Sequence, residues 1–181
     1  MTPTLATSAP PPGSTVMTLV WYSLWLGLGA TLCMDLLAWL QWRLLRLPSL
    51  DYRLLGRWLM GLRQGRLHYP GPAALPPSRA EAPLGWLLHY GIGIVWAALL
   101  VLAAGPGWLS HPTPGPALLT GLLSLGAPFL LLQPALGLGL AARRTAHPWQ
   151  VRARSGLAHL AFALGLWGAA EAAVLLPGLA G

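Results

Sequence analysis

An all-α bundle of four membrane-crossing helices, with one amphipathic helix lying along the inner surface, is the fold this sequence predicts. Three observations predict it. Four stretches are apolar over the roughly 20 residues that a bilayer crossing needs. Only 8% of the 181 residues are charged and 55% are hydrophobic, with a mean hydropathy of +0.60, whereas a soluble domain carries about a quarter charged residues. All eleven basic residues are arginines, gathered in two connections between the apolar stretches. So few charges cannot cover a water-soluble globule of this size, and the outside of the protein must face lipid.

Residues 1–16 are rich in Pro, Thr and Ser and hold no basic residue. A cleavable signal peptide needs a positive n-region, so this stretch reads as a disordered tail, with Met17 an alternative start to Met1. Residues 17–181 then form a single transmembrane domain. The four spans run Leu19–Trp42, Pro83–Ala104, Pro116–Ala142 and Ser155–Leu176, and Asp35 and Glu171 are their only formally charged residues. Seven arginines lie in the connection from Arg43 to Arg79 and four in that from Arg143 to Arg154, with none in the hairpin Gly105–Gly115. Positive loops stay on the cytoplasmic side, which puts both arginine loops in the cytoplasm and both termini outside. A pI near 11.1 could point to nucleic acid, but charge confined to two loops is a pattern of topology, and no nucleic-acid partner is expected.

Within the first loop, apolar residues at 54, 55, 58, 59 and 62 follow a helical period, flanked by Arg53, Arg57, Arg63 and Arg66. The spacing predicts a helix over Tyr52–Leu62, with Ser49 or Asp51 as N-cap. Beside a membrane such a helix lies in the interface with its arginines on anionic lipid headgroups; gating of a substrate is the alternative role. Tyr69–Pro83 reads as an irregular linker. In the third span Pro128 and Pro134 each remove a backbone donor, predicting a kink or local unwinding near Gln133. Trp21, Trp42, Trp86, Trp108 and Trp149 sit near span ends, where indoles anchor at the interface. Cys33 is the only cysteine, which rules out an intrachain disulfide and CxxC-type metal sites.

Polar side chains inside a bilayer are costly and default to functional hypotheses. At 1.5 Å per residue, Asp35 lies about 12 Å above the cytoplasmic end of its span, His89 about 9 Å, His159 about 6 Å and Gln133 about 15 Å. One comes from each span, and each lies on a stripe of small residues that favours close helix packing. Gly85, His89, Gly93 and Ala97 form one such stripe; Gly27, Thr31, Asp35 and Ala38 form another. A carboxylate beside an imidazole orients the ring and raises its basicity. The foremost reading is a site for binding, or proton-linked transport, of a small ligand at Asp35, His89, Gln133 and His159. Three alternatives stay open: a polar knot that only packs the bundle in a structural or accessory subunit, an intramembrane enzyme acting on a lipid-like substrate with histidine as base, and haem held by His89 and His159. No metal site is expected, since no HExxH-type spacing occurs, and the sequence leaves the enzyme question open. Glu171 near an outer end, and His68, His111 and His147 in loops, are weaker candidates. Homo-oligomers or a larger membrane complex are compatible with this pattern.

The chain also resembles a known family over nearly everything from Gly27 to about Leu166. The resemblance is carried by Ala30–Thr31, Met34–Asp35, Pro48–Ser49, Tyr52, Gly56–Arg57–Trp58, Gly65 and His68. It continues through Gly85–Trp86, His89–Tyr90, Gly105–Pro106–Gly107–Trp108 and Ala127–Pro128–Phe129. It ends with Gln133–Pro134, Gly137, Gly139, Ala141, Arg144–Thr145, Pro148, Arg152, His159 and Phe162. These residues resemble an uncharacterised bacterial family of small inner-membrane proteins, domain of unknown function twenty-nine thirty-eight. Arg143 and Ala146 depart from its pattern, where a small residue and a proline are expected. The resemblance implies a four-helix protein of the bacterial inner membrane, and it implies no reaction.

Overall fold

The computed structural model describes residues 12–47, 51–69 and 78–175. Most of the expected tail, and the candidate N-cap Ser49, lie outside the described residues. The described residues are all-helical, with no strand among them. In chain order they form α1 (Pro12–Leu45), α2 (Arg53–Leu62), α3 (Glu81–Ala104), the short α4 (Pro106–Ser110) and α5 (Pro114–Ser124). A π-helical stretch (Ala127–Leu132), the single turn α6 (Gln133–Ala135), a 3₁₀ turn (Leu140–Ala142) and α7 (Pro148–Leu175) follow. Four helices are long and apolar enough to cross a membrane: Val16–Leu45, Glu81–Ala104, Pro114–Ala135 and Pro148–Leu175. Helices are the natural choice there, because each satisfies its own backbone polar groups without water.

α1 packs chiefly on α3 and α7, α5 packs chiefly on α7, and α2 packs on α3. Apolar contact between helices gains little where lipid is equally apolar, so close approach depends on small residues. A Cβ on Gly27 would stand 2.5 Å from the Ile94 backbone, and one on Gly165 would stand 2.7 Å from that of Ala30. Gly121 leaves the same lack of room against His159 and Ala163 on α7. Away from the arginine loops, Leu26, Ala97, Leu100, Val101, Ala117, Leu166 and Ala170 form a dry core. Trp108 belongs to it: it is 7% exposed and its Nε1 donates to the Thr113 carbonyl at 3.1 Å. It is therefore a packing residue rather than the interfacial anchor its position predicts. Trp21, Trp42, Trp86 and Trp149 are exposed.

The third span differs most from its sequence-based expectation. Pro128 and Pro134 each remove an i to i−4 bond, and the helix answers by widening. The Gln133 N–H reaches the Pro128 carbonyl, five residues back. After Ala135 the chain leaves the helix altogether. Gly137 and Gly139 take left-handed φ values of 78° and 75°, and Ala141 and Ala142 take 46° and 60°. Left-handed alanines cost about 1–2 kcal/mol each, so the turn must be held. Arg152 Nε donates to the Ala141 carbonyl at 2.8 Å, Thr145 Oγ1 donates to that of Ala142 at 2.8 Å, and the Arg144 N–H bonds the Leu138 carbonyl at 2.9 Å. The span thus ends at Ala135 and not at Ala142, while α7 begins at Pro148, seven residues before Ser155.

These bounds revise the depths. Measured from the helix ends on the arginine-loop side, Asp35 lies about 15 Å in, His89 about 12 Å and His159 about 16 Å. Gln133 is two residues from the end of its span, about 3 Å in. Three of the four polar residues share a level; Gln133 lies near the rim.

Candidate functional site

α1 and α3 meet along the Gly27–Ile94 and Thr31–Gly93 contacts, which brings Asp35 against the first half of α3. Its Oδ1 accepts from His89 Nε2 at 3.0 Å and from the Tyr52 hydroxyl at 2.9 Å. Its Oδ2 accepts from the Tyr90 hydroxyl at 2.9 Å. The carboxylate and imidazole side chains are 16% and 11% exposed. A carboxylate so placed must be compensated, since an isolated buried charge is very costly. Three donors compensate it here. The contact also fixes the ring: an ionised carboxylate only accepts, so Nε2 carries the proton and Nδ1 has no partner among the described residues.

Aromatic rings wall the pair. Tyr52 stacks on His89 with centroids 4.0 Å apart and 22° between planes. Trp86 meets Tyr52 edge-on at 4.7 Å, and Tyr90 meets His89 edge-on at 5.5 Å. If His89 is charged, the stacked Tyr52 face adds a cation–π attraction.

Tyr52 lies outside the spans, immediately before α2, and reaches Asp35 because α2 is clamped to the first turn of α3. Gly56 crosses directly over Glu81 and Gly85, with no room for a Cβ on either glycine. Arg57 binds Glu81 in a two-point pair, Nε to Oε1 and Nη2 to Oε2, both 3.0 Å. Those side chains are 11% and 4% exposed. The Tyr69 hydroxyl donates to the Arg57 carbonyl at 3.1 Å, and the Tyr69 N–H bonds the Ala135 carbonyl at 2.7 Å, tying α2 to the end of the third span. The N-cap position of α2 is Tyr52, without a side-chain cap bond, and not Asp51, whose Oδ1 accepts from the Arg53 N–H at 3.1 Å just ahead of the helix. Burial pushes the Tyr52 phenol up from its ordinary value of 10.0, and the nearby Asp35 charge adds to this. The phenol stays a donor throughout the neutral range. The hydrogen bond from Arg53 holds the Asp51 carboxyl below the usual range.

His159 is anchored differently. Its Nδ1 lies 2.7 Å from Ser124 Oγ, and that hydroxyl lies 2.8 Å from the Gly121 carbonyl. A carbonyl only accepts, so the single hydroxyl proton points to Gly121 and Nδ1 is the donor to Ser124. Among the described residues the nitrogen of His159 without a partner is therefore Nε2, and the ring lies at about the depth of His89. The structure thus brings Asp35 and His89 together and sets His159 nearby. Gln133 is not part of this cluster. It is 6% exposed, and its Oε1 has no partner among the described residues.

Among the described residues no three His, Cys, Asp or Glu side chains converge on one point. Haem ligation through His89 Nε2 would break its bond to Asp35. The four arginines grouped by sequence divide: Arg63 and Arg66 are exposed, Arg53 is exposed beside Asp51, and Arg57 is turned inward on Glu81 rather than outward to lipid. Glu171 accepts from Trp167 Nε1 at 3.0 Å, and His68, His111 and His147 are exposed. Sequence reasoning missed Tyr52, Glu81, Tyr90 and Ser124 as parts of the site. Tyr90 had a signal, a hydroxyl next to His89; Tyr52 and Ser124 are visible only once helix contacts are known.

No curated protein and no solved structure matches the chain. A family model described as a protein of unknown function (DUF2938) does match, over residues 24–173, a stretch that holds every residue of the Asp35 cluster together with His159 and Ser124. With well over half its length matched, the chain belongs to that family of unknown function.

Proposed function

We propose that this membrane protein binds a small ligand at the Asp35–His89 pair in exchange for a proton, as the binding step of proton-linked transport. The observation that supports this is an imidazole fixed through one nitrogen by a half-buried carboxylate, while its other nitrogen has no partner among the described residues. A proton taken up at His89 Nδ1 makes an imidazolium that Asp35 neutralises, and a ligand arriving at the pair displaces that proton, the Nδ1–H bond breaking as the proton passes to His159 Nε2. His159 is thus the second station, and Gln133 near the rim is the first polar contact on the way in. In this reading the arginine loops face the cytoplasm of a bacterium, the protein sits in the inner membrane, and both termini are outside. Arg63 and Arg66 rest on anionic headgroups, an attraction that weakens as salt rises.

The test uses purified full-length protein in liposomes carrying an internal pH dye, with inward gradients of small organic acids, amines and amino acids in turn. One class is expected to drive proton movement, and Asp35→Asn to abolish it while the protein remains folded. Proton movement by no class, or movement unaffected in Asp35→Asn, contradicts the proposal. A second reading has its own observation: with three donors, Asp35 already looks like a satisfied structural knot. In that case Asp35→Asn lowers stability and changes nothing else.

A further inference from the structure

We infer that α2 is a removable cap on the Asp35–His89 site, latched by Tyr52, and that the site opens to the arginine-loop side when this latch is released. The inference rests on the proposed ligand site for its purpose, but its geometry stands by itself. Tyr52 is the one residue of the cluster that no span contributes. It covers the pair twice, with its hydroxyl on Asp35 at 2.9 Å and its ring on His89 at 4.0 Å.

The seat of α2 is built for contact without deep embedding. Of its ten residues only Leu55, Gly56 and Gly61 are buried, while Leu54, Trp58, Leu59, Met60 and Leu62 are half-buried. Gly56 lies on the backbone of α3 and Gly61 lies under the Tyr69 ring. Polar links add to this partial burial: Tyr52 to Asp35, Arg57 to Glu81, and Tyr69 to the Arg57 carbonyl. Polar links respond to charge in a way that a sunken apolar face does not. The Tyr52 bond is charge-assisted, and such bonds are roughly twice as strong as neutral ones. It weakens when Asp35 accepts a proton or a ligand takes its oxygen. Arg57 remains charged at any working pH, so its pair with Glu81 serves as the pivot while the Tyr52 end swings.

The groups facing this latch are few. α1 contributes Asp35; α3 contributes Glu81, His89 and Tyr90; α7 contributes His159. Asp51, Arg53, Arg57 and Tyr69 lie on α2 or beside it. Arg53 is occupied by Asp51 at 2.7 Å, outside the site, and Arg57 by Glu81. Asp35, which accepts from Tyr52, His89 and Tyr90, is therefore the group whose charge reaches the latch. Proton arrival at the site and release of its cover become a single event, which admits a ligand only when the pair is ready to exchange.

Amide hydrogen exchange on the full-length protein in lipid nanodiscs tests this, with no ligand needed. Tyr52→Phe keeps the ring and removes the latch; Asp35→Asn removes its charge. In both, exchange over residues 53–62 should accelerate about tenfold or more, the loss expected for a hydrogen bond to a charged group. Amides of α1, α3 and α7 should stay protected. Acidifying the wild-type protein, after correction for intrinsic exchange rates, should give the same local rise, and this reading remains if a variant fails to fold. Unchanged protection of residues 53–62 throughout overturns the cap, as does loosening of α2 together with the spans. The liposome assay fails separately if no ligand class moves protons, so the two ideas are distinguishable.

Discussion

His89 and His159 lie at similar depths on α3 and α7, and the bundle treats them in opposite ways. His89 is held through Nε2 by a carboxylate that two tyrosines also bind, with a third helix pressed against the pair. His159 is held through Nδ1 by one serine hydroxyl, itself bonded to its own helix. Around His89 the packing depends on charge: Asp35 with its donors and, one level nearer the rim, Arg57 with Glu81. Around His159 it depends on shape, through Gly121 against Ala163 and a neutral hydrogen bond. The same residue type thus becomes part of a compensated ion pair at one corner and a neutral packing element at the other. At the His89 corner a proton alters a network of charge-assisted bonds; at the His159 corner it meets a single ring held by one neutral hydrogen bond.

The comparison is broken most readily at Glu81. Glu81→Gln leaves the Arg57 guanidinium buried without its counter-charge, an error that costs about 3–5 kcal/mol. Equilibrium unfolding in detergent should show that loss; a loss under about 1 kcal/mol would mean that charge does not hold this corner. Next comes His89→Ala, which leaves a hole beside Tyr52 and removes one donor from Asp35. About 2–4 kcal/mol is expected, clearly more than for Asp35→Asn, which keeps the shape. If Asp35→Asn is the more damaging to stability, Asp35 acts mainly as structure.

At the other corner, Ser124→Ala strands His159 Nδ1 and should cost about 1–3 kcal/mol. A cost equal to that of Glu81→Gln would erase the contrast between the corners. Tyr52 gives a pH signature. Because its folded pKa is raised, its contribution to stability is fully present below the ordinary value of 10.0 and is lost as pH rises above it. Wild-type protein should lose stability above that pH more steeply than Tyr52→Phe; parallel curves would place Tyr52 in water. The smallest effect belongs to Asp51→Asn. The depressed carboxyl contributes above its unfolded pKa and loses that contribution as pH falls through its folded value. The pair with Arg53 is exposed and screened by solvent, so unfolding at neutral pH should barely distinguish Asp51→Asn from wild type; a loss as large as that of Ser124→Ala would contradict this.

How much of this was legible in the sequence depends on the range over which each feature is decided. The number of spans follows from local composition, and the helix after Tyr52 follows from a local period. The Gly85–His89–Gly93–Ala97 stripe likewise told which face of α3 turns inward. The end of the third span was not legible, because residues 136–142 are apolar enough to continue a helix. The left-handed alanines at 141 and 142 are held by Arg152 from α7, a partner no local window contains. The same limit hid Tyr52 and Glu81. A tyrosine before a surface helix reads as an interfacial residue, and a glutamate before a span reads as solvated, until Gly56 and Gly85 bring α2 and α3 into contact. Gln133 was misplaced for a related reason: its depth was counted from a span end that the fold puts seven residues earlier.

The central claim is that the two histidines offer opposite nitrogens, His89 its Nδ1 and His159 its Nε2. Nitrogen-15 NMR of histidine-labelled protein in nanodiscs reads this directly, with His68, His111 and His147 replaced to leave two signals. In the neutral form of each ring, the account predicts a protonated Nε2 for His89 and a protonated Nδ1 for His159. Asp35→Asn should perturb the first ring strongly and Ser124→Ala the second. Two rings in the same tautomer, or a His89 ring that does not respond to Asp35→Asn, would contradict it.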